Sequence, residues 1–517
     1  MKYFTYLFKY LAYLFLTGMA IAAIINLIIN LTKANDHLLL EIVIILLYIL
    51  IVSIFGFLFY FHKKSIWQFL SVPKKRRLLY LIGTVILIIW QIVMIINLTT
   101  YVGWDPQQTL LSVVARPHMQ GWLYDYLSYC PNNLSLYYLF VFIRKFCSIT
   151  HLPFSMLTIN YFNMIIMDIA FLLLILAIKH FTNNRIISLL GFATILFLLG
   201  FSPWIIVTYT DTLSLLPVSL GLLALALLIR KRNYYTAILF GLSGSLCFFV
   251  KPSSSIYYIA AIIILILVSI IHKNWANIIL TALACLTTFL VSISIQLFNT
   301  HQTMYPIDSS VTLPATHYLM MGAQGNGSYN LQDVLSDIND PDKANLPHKN
   351  ITKYCQRVKK MGVIGYSKFL INKFYWTNND GSLGWGVEGG PDFINQNIRP
   401  YSADFGGLLR RFYWPLGDWS WMFYAIAQLI WINATILLVF SFRAVDYLSE
   451  ITKNWLYLTI FGNNLFLLLF EAGRSRFLIQ FLPILIFIIA LSLYFLLFKD
   501  QSLSHDSVDS NYSVKIN

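Results

Sequence analysis

The sequence has very few charged residues for its length. Only 11% of the 517 residues are Asp, Glu, Lys or Arg, whereas a soluble domain carries about a quarter. Hydrophobic residues make up 58% of the chain, and the mean hydropathy is +0.68. This composition excludes an ordinary soluble protein, because there is too little charge to cover a surface of this size.

Cysteines are also few, and internal repeats are lacking. The five cysteines are scattered, with no CxxC pair and no metal-ligand spacing. We therefore expect neither a disulfide framework nor a bound metal, and nothing in the sequence calls for a cofactor. The polar tail, residues 499–517, is typical of a short disordered end.

Long apolar runs are abundant. Runs of about 17 to 25 apolar residues predict membrane-spanning helices, and the first of them is too long for the core of a signal peptide. The sequence thus predicts an all-α polytopic membrane protein with about twelve transmembrane helices. The predicted spans are 10–31, 38–61, 78–100, 156–179, 186–204, 212–230, 235–250, 254–271, 276–297, 420–441, 454–470 and 477–498.

The net charge of +14 comes largely from short basic clusters between the apolar runs. That distribution follows the positive-inside rule and gives no reason to expect a nucleic-acid partner. The strongest cluster, "HKKSIWQFLSVPKKRR" (62–77), is predicted to be cytoplasmic. Both termini are then cytoplasmic in a multi-pass cell-membrane protein, and the loop after the third span is extracytoplasmic.

Whether the run "NNLSLYYLFVFIRKF" (132–146) crosses the membrane decides on which side all later loops lie. Its apolar part is too short to cross comfortably, and a crossing would place later basic loops outside. We therefore predict a re-entrant or interfacial helix. The predicted divisions are an N-terminal two-helix addition with its basic loop (1–77), a transmembrane core (78–297) containing a first outer loop (101–133), a large extracytoplasmic region (298–419), C-terminal transmembrane helices (420–498) and the tail (499–517).

Several polar residues converge on the predicted outer face. Asp105 in "YVGWDPQQTL" begins a long first outer loop that also holds Arg116 and His118. Each of these residues has an ordinary structural alternative. Solvation is the alternative for a lone carboxylate such as Asp105, helix capping for Asp211 in "TYTDTLSLLP", and snorkelling for Lys251 in "FFVKPSSSIYY". Their shared face nevertheless favours a common site.

The segment "LFEAGRSRFLIQFLPIL" (469–485) carries the strongest signal. Glu471, Arg474 and Arg476 stand close together between apolar helices. An internal ion pair is the simplest explanation, but one Glu does not neutralise two Arg. Because the Arg guanidinium matches phosphate oxygens, we expect an anionic ligand at the membrane boundary.

Two outer segments, 312–330 and 374–393, are dense in Gly, Asn and aromatic residues. Aromatic faces with amide side chains suit the stacking and hydrogen bonding of a sugar, although they also suit a loop folded against a membrane. The predicted groove for sugar or acceptor contains His317, Asn326, Trp376, Asp380 and Trp385. The stretch 348–373, between these two segments, is predicted to be an amphipathic helix lying on membrane lipids.

Taken in order, the motifs "GWDP", "YCPNNLSLYY", "YTDTL", "VKPSSS" and "EAGRSRFLIQFLP" resemble those of membrane glycosyltransferases of the GT-C fold. These enzymes take a sugar from a polyprenyl-phosphate carrier, and the resemblance covers about residues 78–498. Within this class, the chain is distantly similar to protein mannosyltransferases and aminoarabinose transferases. A single Asp followed by Pro, in "GWDP", and "CPNN" in the first outer loop point to a bacterial cell-envelope branch.

The resemblance implies an inverting sugar transfer with Asp105 as general base. Lys251, Arg474 and Arg476 would bind the lipid phosphate, supported by Asp211, and no metal would be required. The acceptor would be an extracytoplasmic glycan, teichoic acid or protein. A transporter or flippase of a lipid-linked glycan, and a polysaccharide polymerase or ligase, remain alternatives.

Overall fold

A computed structural model describes residues 2–33, 37–115, 125–386, 388, 393–395 and 400–502. The described chain is helical, apart from loops and one isolated β-bridge between Val102 and Ile394. The helices are α1 (Lys2–Lys33), α2 (Leu38–Ser71), α3 (Pro73–Leu98), α4 (Trp104–Val114), α5 (Tyr126–Tyr129), α6 (Leu134–Thr150), α7 (Met156–Thr182), α8 (Arg185–Ile195), α9 (Thr210–Leu213), α10 (Leu215–Lys231), α11 (Tyr234–Val250), α12 (Ile256–Ile271), α13 (Trp275–His301), α14 (Ala315–Met321), α15 (Leu331–Ile338), α16 (Leu346–Asn378), α17 (Phe405–Tyr413), α18 (Ser420–Val439), α19 (Phe442–Val445), α20 (Glu450–Phe470) and α21 (Leu482–Ser502).

The chain is an all-α integral membrane protein. Within the described residues, nine helical segments are long and apolar enough to cross a membrane. They are Lys2–Lys33, Leu38–Ser71, Pro73–Leu98, Met156–Thr182, Thr210–Lys231, Pro252–Ile271, Trp275–His301, Ser420–Val439 and Ser475–Phe498. The other three predicted spans correspond to the shorter apolar helices Arg185–Gly200 and Tyr234–Val250 and to α20.

Burial separates the central helices from the peripheral ones. Every residue of the stretch 481–491 at the start of α21 is buried, whereas α2 contributes no buried residue at all. A helix that is apolar on all sides suits either the centre of a bundle or a lipid-facing position. We assign α21 to the centre of the bundle and α2 to a lipid-facing position.

Helices α3 and α7 run antiparallel. The Asn160 amide donates to the Thr99 hydroxyl over 3.1 Å, and the Gln91 amide donates to Asp168 over 2.9 Å. Helix α7 therefore begins at the end of the bundle where α3 finishes, which we call the site end. Helix α6 lies between them in the chain, and its re-entrant or interfacial placement stays a prediction.

The opposite end of the bundle gathers basic side chains, and we call it the basic end. Arg76, Arg77, Lys179 and Arg185 surround one cavity there. Arg230 at the end of α10 donates to the amide oxygen of Asn183 nearby, over 3.1 Å. These basic side chains come from α3, α7, α8 and α10 and lie at the end of the bundle opposite the start of α7.

Several predicted loops contain helix. The basic stretch 62–77 is helical except around Val72, where Pro73 occupies the first turn of α3 and suits a helix start. The first outer loop contains α4 and α5, and the region 298–419 contains α14 to α17. The predicted amphipathic helix 348–373 lies within α16, which bends at Gly362, where φ is +65°.

The chain ends also differ from the prediction. Helix α1 begins at Lys2 and packs against α18 and α20, with Asn26 donating to Gln428 over 3.1 Å, so it belongs to the bundle. Helix α21 extends to Ser502, which makes the predicted tail helical over its first residues, 499–502. The remainder of that tail lies outside the described residues.

Candidate functional site

Asp105 lies in the first turn of α4 and accepts two phenol hydrogen bonds. The Tyr126 hydroxyl donates to Oδ1 over 2.7 Å, and the Tyr209 hydroxyl donates to Oδ2. Asn133 in turn donates to the Tyr126 oxygen over 2.7 Å. The carboxylate is therefore oriented by two chain segments, 126–133 and the turn at Tyr209.

The backbone before Asp105 is strained. Trp104 has φ of +57°, a left-handed conformation that a bulky side chain rarely adopts. The preceding Gly103 donates its N–H to the Phe393 carbonyl over 2.8 Å, and Val102 pairs with Ile394. Strain of this kind persists where the surroundings enforce it, and it is concentrated at functional sites.

A second carboxylate, Asp211, lies beneath the first and is fully buried. Lys251, at the end of α11, donates to its Oδ1, while Arg476 approaches its Oδ2 at 3.7 Å. Pro252 ends α11 directly after Lys251, so the lysine leaves the helix at the site end. An ion pair thus explains Asp211 and holds Lys251 in place.

Arg474 and Arg476 both contact the Trp104 ring. Their guanidinium carbons lie 4.9 and 5.5 Å from the ring centroid. Arg474 is extended, and a 3₁₀ segment, Ser475–Phe481, follows it. Trp104 therefore presents two cations beside the Asp105 carboxylate, an arrangement that cation–π attraction favours.

The two arginines differ in their ionic partners. Arg476 is buried between Asp211 and Glu388, with its Nε 3.9 Å from Glu388 Oε2. The Arg474 guanidinium makes no ion pair or hydrogen bond with any residue that the structure describes, although its backbone carbonyl accepts from the Phe477 N–H over 3.3 Å. Arg474 is consequently a cation without a carboxylate partner among the described residues.

Some buried polar atoms at this site have no hydrogen-bond partner among the described residues. They include Nε and Nη1 of Arg476, Oδ2 of Asp211 and Oε2 of Glu388. Buried polar atoms are normally satisfied, and an unpaired group costs about 1 to 3 kcal/mol. These four atoms face one another in two ion pairs that are too long for hydrogen bonds, Arg476 Nη1 to Asp211 Oδ2 at 3.7 Å and Arg476 Nε to Glu388 Oε2 at 3.9 Å.

One cavity of about 590 Å³ connects these features. Its volume is within the usual range for small-ligand sites, about 300 to 1,000 Å³. The predicted residues on its wall are Asp105, Lys251, Glu471, Arg474 and Arg476. Burial raises the pKa of Glu471. Residues predicted from three separate motifs therefore share one space, which we call the Asp105 cavity.

A second cavity, of about 770 Å³, lies on the other side of Arg474 and is called the Trp376 cavity. Three of the predicted groove residues line it, namely Asn326, Trp376 and Asp380. Trp376 keeps 52% of its surface exposed, whereas Asp380 closes the turn after α16 by accepting the Ser382 and Gly384 amides. Arg474 lines both cavities.

Glu388 lies between the Trp376 cavity and Arg476. It accepts from the Ser475 hydroxyl over 2.9 Å and from the Ser475 backbone N–H. Burial raises the pKa of Glu388 to about 7, and the nearby Arg476 offsets part of that rise. The carboxyl is thus poised to change its charge near neutral pH.

Two predicted groove residues are placed elsewhere. The His317 ring is buried and bonds Asp337 over 2.8 Å, packing α14 against α15. Trp385 is fully buried, and its indole N–H donates to the Tyr413 carbonyl over 2.6 Å. Neither side chain lines the two cavities, so we correct both to structural roles. Arg116 and His118 lie outside the described residues.

The sequence reasoning missed four residues of the site. Trp104 and Tyr209 stand next to predicted residues, in "GWDP" and "YTDTL", and an aromatic neighbour to each carboxylate was the available signal. Tyr126 and Glu388 carried no such signal, because they reach the site only through the folding of long loops. Among the described residues, no group of three His, Cys, Asp or Glu side chains has metal-binding geometry.

Fold and site together define a polytopic helical membrane protein with a polar cavity near one end of its bundle. A family model covering residues 1–495 matches the chain, and its description is conserved hypothetical integral membrane protein. The chain belongs to that family. Comparisons with curated proteins and with solved structures gave no match.

Proposed function

We propose that the protein is a membrane glycosyltransferase that moves a sugar from a polyprenyl-phosphate carrier to an acceptor hydroxyl. One observation carries the proposal: Asp105 and the cations Lys251, Arg474 and Arg476 lie on the same cavity. A carboxylate can take a proton from a nucleophile, and cations can stabilise a phosphate leaving group. The resemblance to GT-C enzymes agrees with this division of roles.

Asp105 acts as the general base. As the acceptor oxygen attacks the anomeric carbon, its proton passes to the Asp105 carboxylate, and the bond between that carbon and the phosphate oxygen breaks. The electron pair of that bond leaves with the lipid phosphate, so the anomeric configuration inverts. The hydroxyls of Tyr126 and Tyr209 hold the carboxylate in one orientation.

The cations bind the phosphate and the charge that develops on it. Arg474 has no competing ion pair among the described residues, and it joins the two cavities. Lys251 and Arg476 are anchored by Asp211. A preorganised cation requires little rearrangement during the reaction, which is the main source of electrostatic catalysis.

The Trp376 cavity supplies the groove for sugar or acceptor. Its wall combines the Trp376 ring with the amides of Asn26, Asn326 and Asn379. Because the basic end follows the positive-inside rule, we place the site end outside the cell membrane. The acceptor is then an extracytoplasmic glycan, teichoic acid or protein.

The test is sugar transfer by purified protein in proteoliposomes containing a radiolabelled polyprenyl-phosphate sugar. Wild type should release polyprenyl phosphate in the presence of an envelope acceptor, and Asp105→Asn should be about 10²- to 10⁴-fold slower. Asp418→Asn is the matched control, since Asp418 is exposed and pairs only with Arg411 at 3.3 Å among the described residues. It should transfer at the wild-type rate.

Three outcomes would overturn the proposal. Transfer by Asp105→Asn at a near wild-type rate would exclude the general-base role. Movement of intact lipid-linked glycan across the vesicle, without release of polyprenyl phosphate, would instead establish the transporter alternative. A donor that requires pyrophosphate linkage would indicate a polymerase or ligase.

A further inference from the structure

A cavity of about 630 Å³ lies at the basic end, between α3, α7 and α8. Arg76, Arg77, Lys179 and Arg185 line it together with apolar side chains from the same helices. Neither of the two site-end cavities shares a residue with it. It is therefore a separate feature, and the proposed sugar transfer makes no use of it.

Within the part of the chain that the structure describes, the four cations of this cavity lack carboxylate partners. None of them forms an ion pair with a described Asp or Glu residue, and the cavity's own acid, Asp168, is bonded to Gln91 over 2.9 Å. Like charges around one cavity repel one another, and a bound anion offsets that repulsion. The missing negative charge indicates an anionic ligand.

Arg76 is held in position to take part. Its Nη1 donates to the carbonyls of Leu70 and Ser71 over 2.6 and 2.8 Å, which fixes the guanidinium at the junction of α2 and α3. The side chain is 9% exposed, whereas Arg185 opposite it is exposed. The cavity therefore combines one fixed cation with others that can adjust to a ligand.

The wall that leads away from the cations is apolar and opens sideways. Its lining includes Leu87 and Ile88 of α3, Leu172 and Leu176 of α7, and Phe192 of α8. Leu172 is 56% exposed, so the cavity continues onto a surface that faces lipid. A ligand that fits both parts needs an anionic head and a hydrocarbon chain.

We infer that this cavity binds an anionic phospholipid, with the phosphate among the four basic side chains and an acyl chain along the apolar wall. Basic pockets between helices at a membrane surface are suited to such headgroups. Charge complementarity selects an anionic lipid over a zwitterionic one. The bound lipid fastens α3, α7 and α8 together at the end opposite the candidate site.

The experiment is native mass spectrometry of the detergent-purified full chain, titrated with phosphatidylglycerol or phosphatidylcholine. Lys179→Gln/Arg185→Gln removes two cavity cations, and Lys231→Gln/Arg232→Gln removes two cations of the same end that do not line this cavity. Each basic group near an anionic lipid contributes roughly fivefold in affinity. The first double variant should lose affinity for phosphatidylglycerol by about 30-fold, whereas the second should lose little.

Two further arms separate the possible ligands. Inorganic phosphate and glycerophosphoglycerol, which lack acyl chains, should compete only weakly with phosphatidylglycerol. Efficient competition by either would show a site for the free anion and overturn the lipid assignment. Equal affinity for both phospholipids, or full retention of the preference in Lys179→Gln/Arg185→Gln, would also overturn it. Circular dichroism checks that both variants remain folded.

Discussion

Replacing Lys251 by Met would leave the buried Asp211 carboxylate without its closest cation. Removing one partner of a buried ion pair costs about 3 to 5 kcal/mol, because the remaining charge stays desolvated. Arg476 remains 3.7 Å from Asp211 and retains part of the attraction. We therefore expect Lys251→Met to lower the free energy of unfolding by about 3 kcal/mol, at the lower limit of that range.

A double-mutant cycle makes this prediction sharp. Asp211→Asn should cost a similar amount, since it leaves Lys251 and Arg476 near one neutral amide. In the double variant both charges of the pair are absent, so its cost should fall below the sum of the two single costs by about 2 to 3 kcal/mol. Equilibrium unfolding in mixed micelles measures the free energy of unfolding of wild type, the two single variants and the double variant. Additivity within about 0.5 kcal/mol would refute the ion pair.

Three other predictions concern the site and its surroundings. Tyr209→Phe removes a hydroxyl donor to Asp105 and should slow transfer by about 10- to 100-fold, which corresponds to a charged hydrogen bond of about 1.5 to 3 kcal/mol; an unchanged rate would argue against this positioning role. Glu388 loses its proton as pH rises through about 7 and then competes for Arg476, so donor affinity should fall between pH 6 and pH 8; Glu388→Gln should abolish that dependence, because a phosphodiester donor does not titrate there. Trp385→Ala should destabilise the fold by about 3 to 5 kcal/mol and leave donor affinity in the folded fraction unchanged, and a selective loss of sugar binding would restore Trp385 to the groove.

Much of the membrane architecture follows from hydropathy. Predicted spans such as 78–100 and 156–179 coincide with α3 and α7, because a bilayer demands continuous helices of sufficient length. The loops were harder, since their helices depend on packing rather than on lipid. Residues 62–77 are polar enough to be predicted as a loop, yet α2 and α3 continue through most of them.

The candidate site was partly predictable for a different reason. An unpaired charge near a membrane helix is costly, so Asp105, Lys251 and Arg474 stand out in an apolar sequence. The ionic partners within the site were not predictable, because Glu388 reaches Arg476 only across a tertiary contact. Trp and Gly density also misled the prediction. Trp385 belongs to the core although its composition suits a sugar groove.

The most direct test of the central claim measures donor affinity and transfer rate in one preparation of Asp105→Asn. If Asp105 is the base, the donor should bind within about threefold of the wild-type affinity, while the transfer rate falls by about 10²- to 10⁴-fold. Arg474→Gln should show the opposite pattern, with weaker donor binding as its main effect. A rate near that of wild type in Asp105→Asn, or a parallel loss of affinity and rate, would contradict the account.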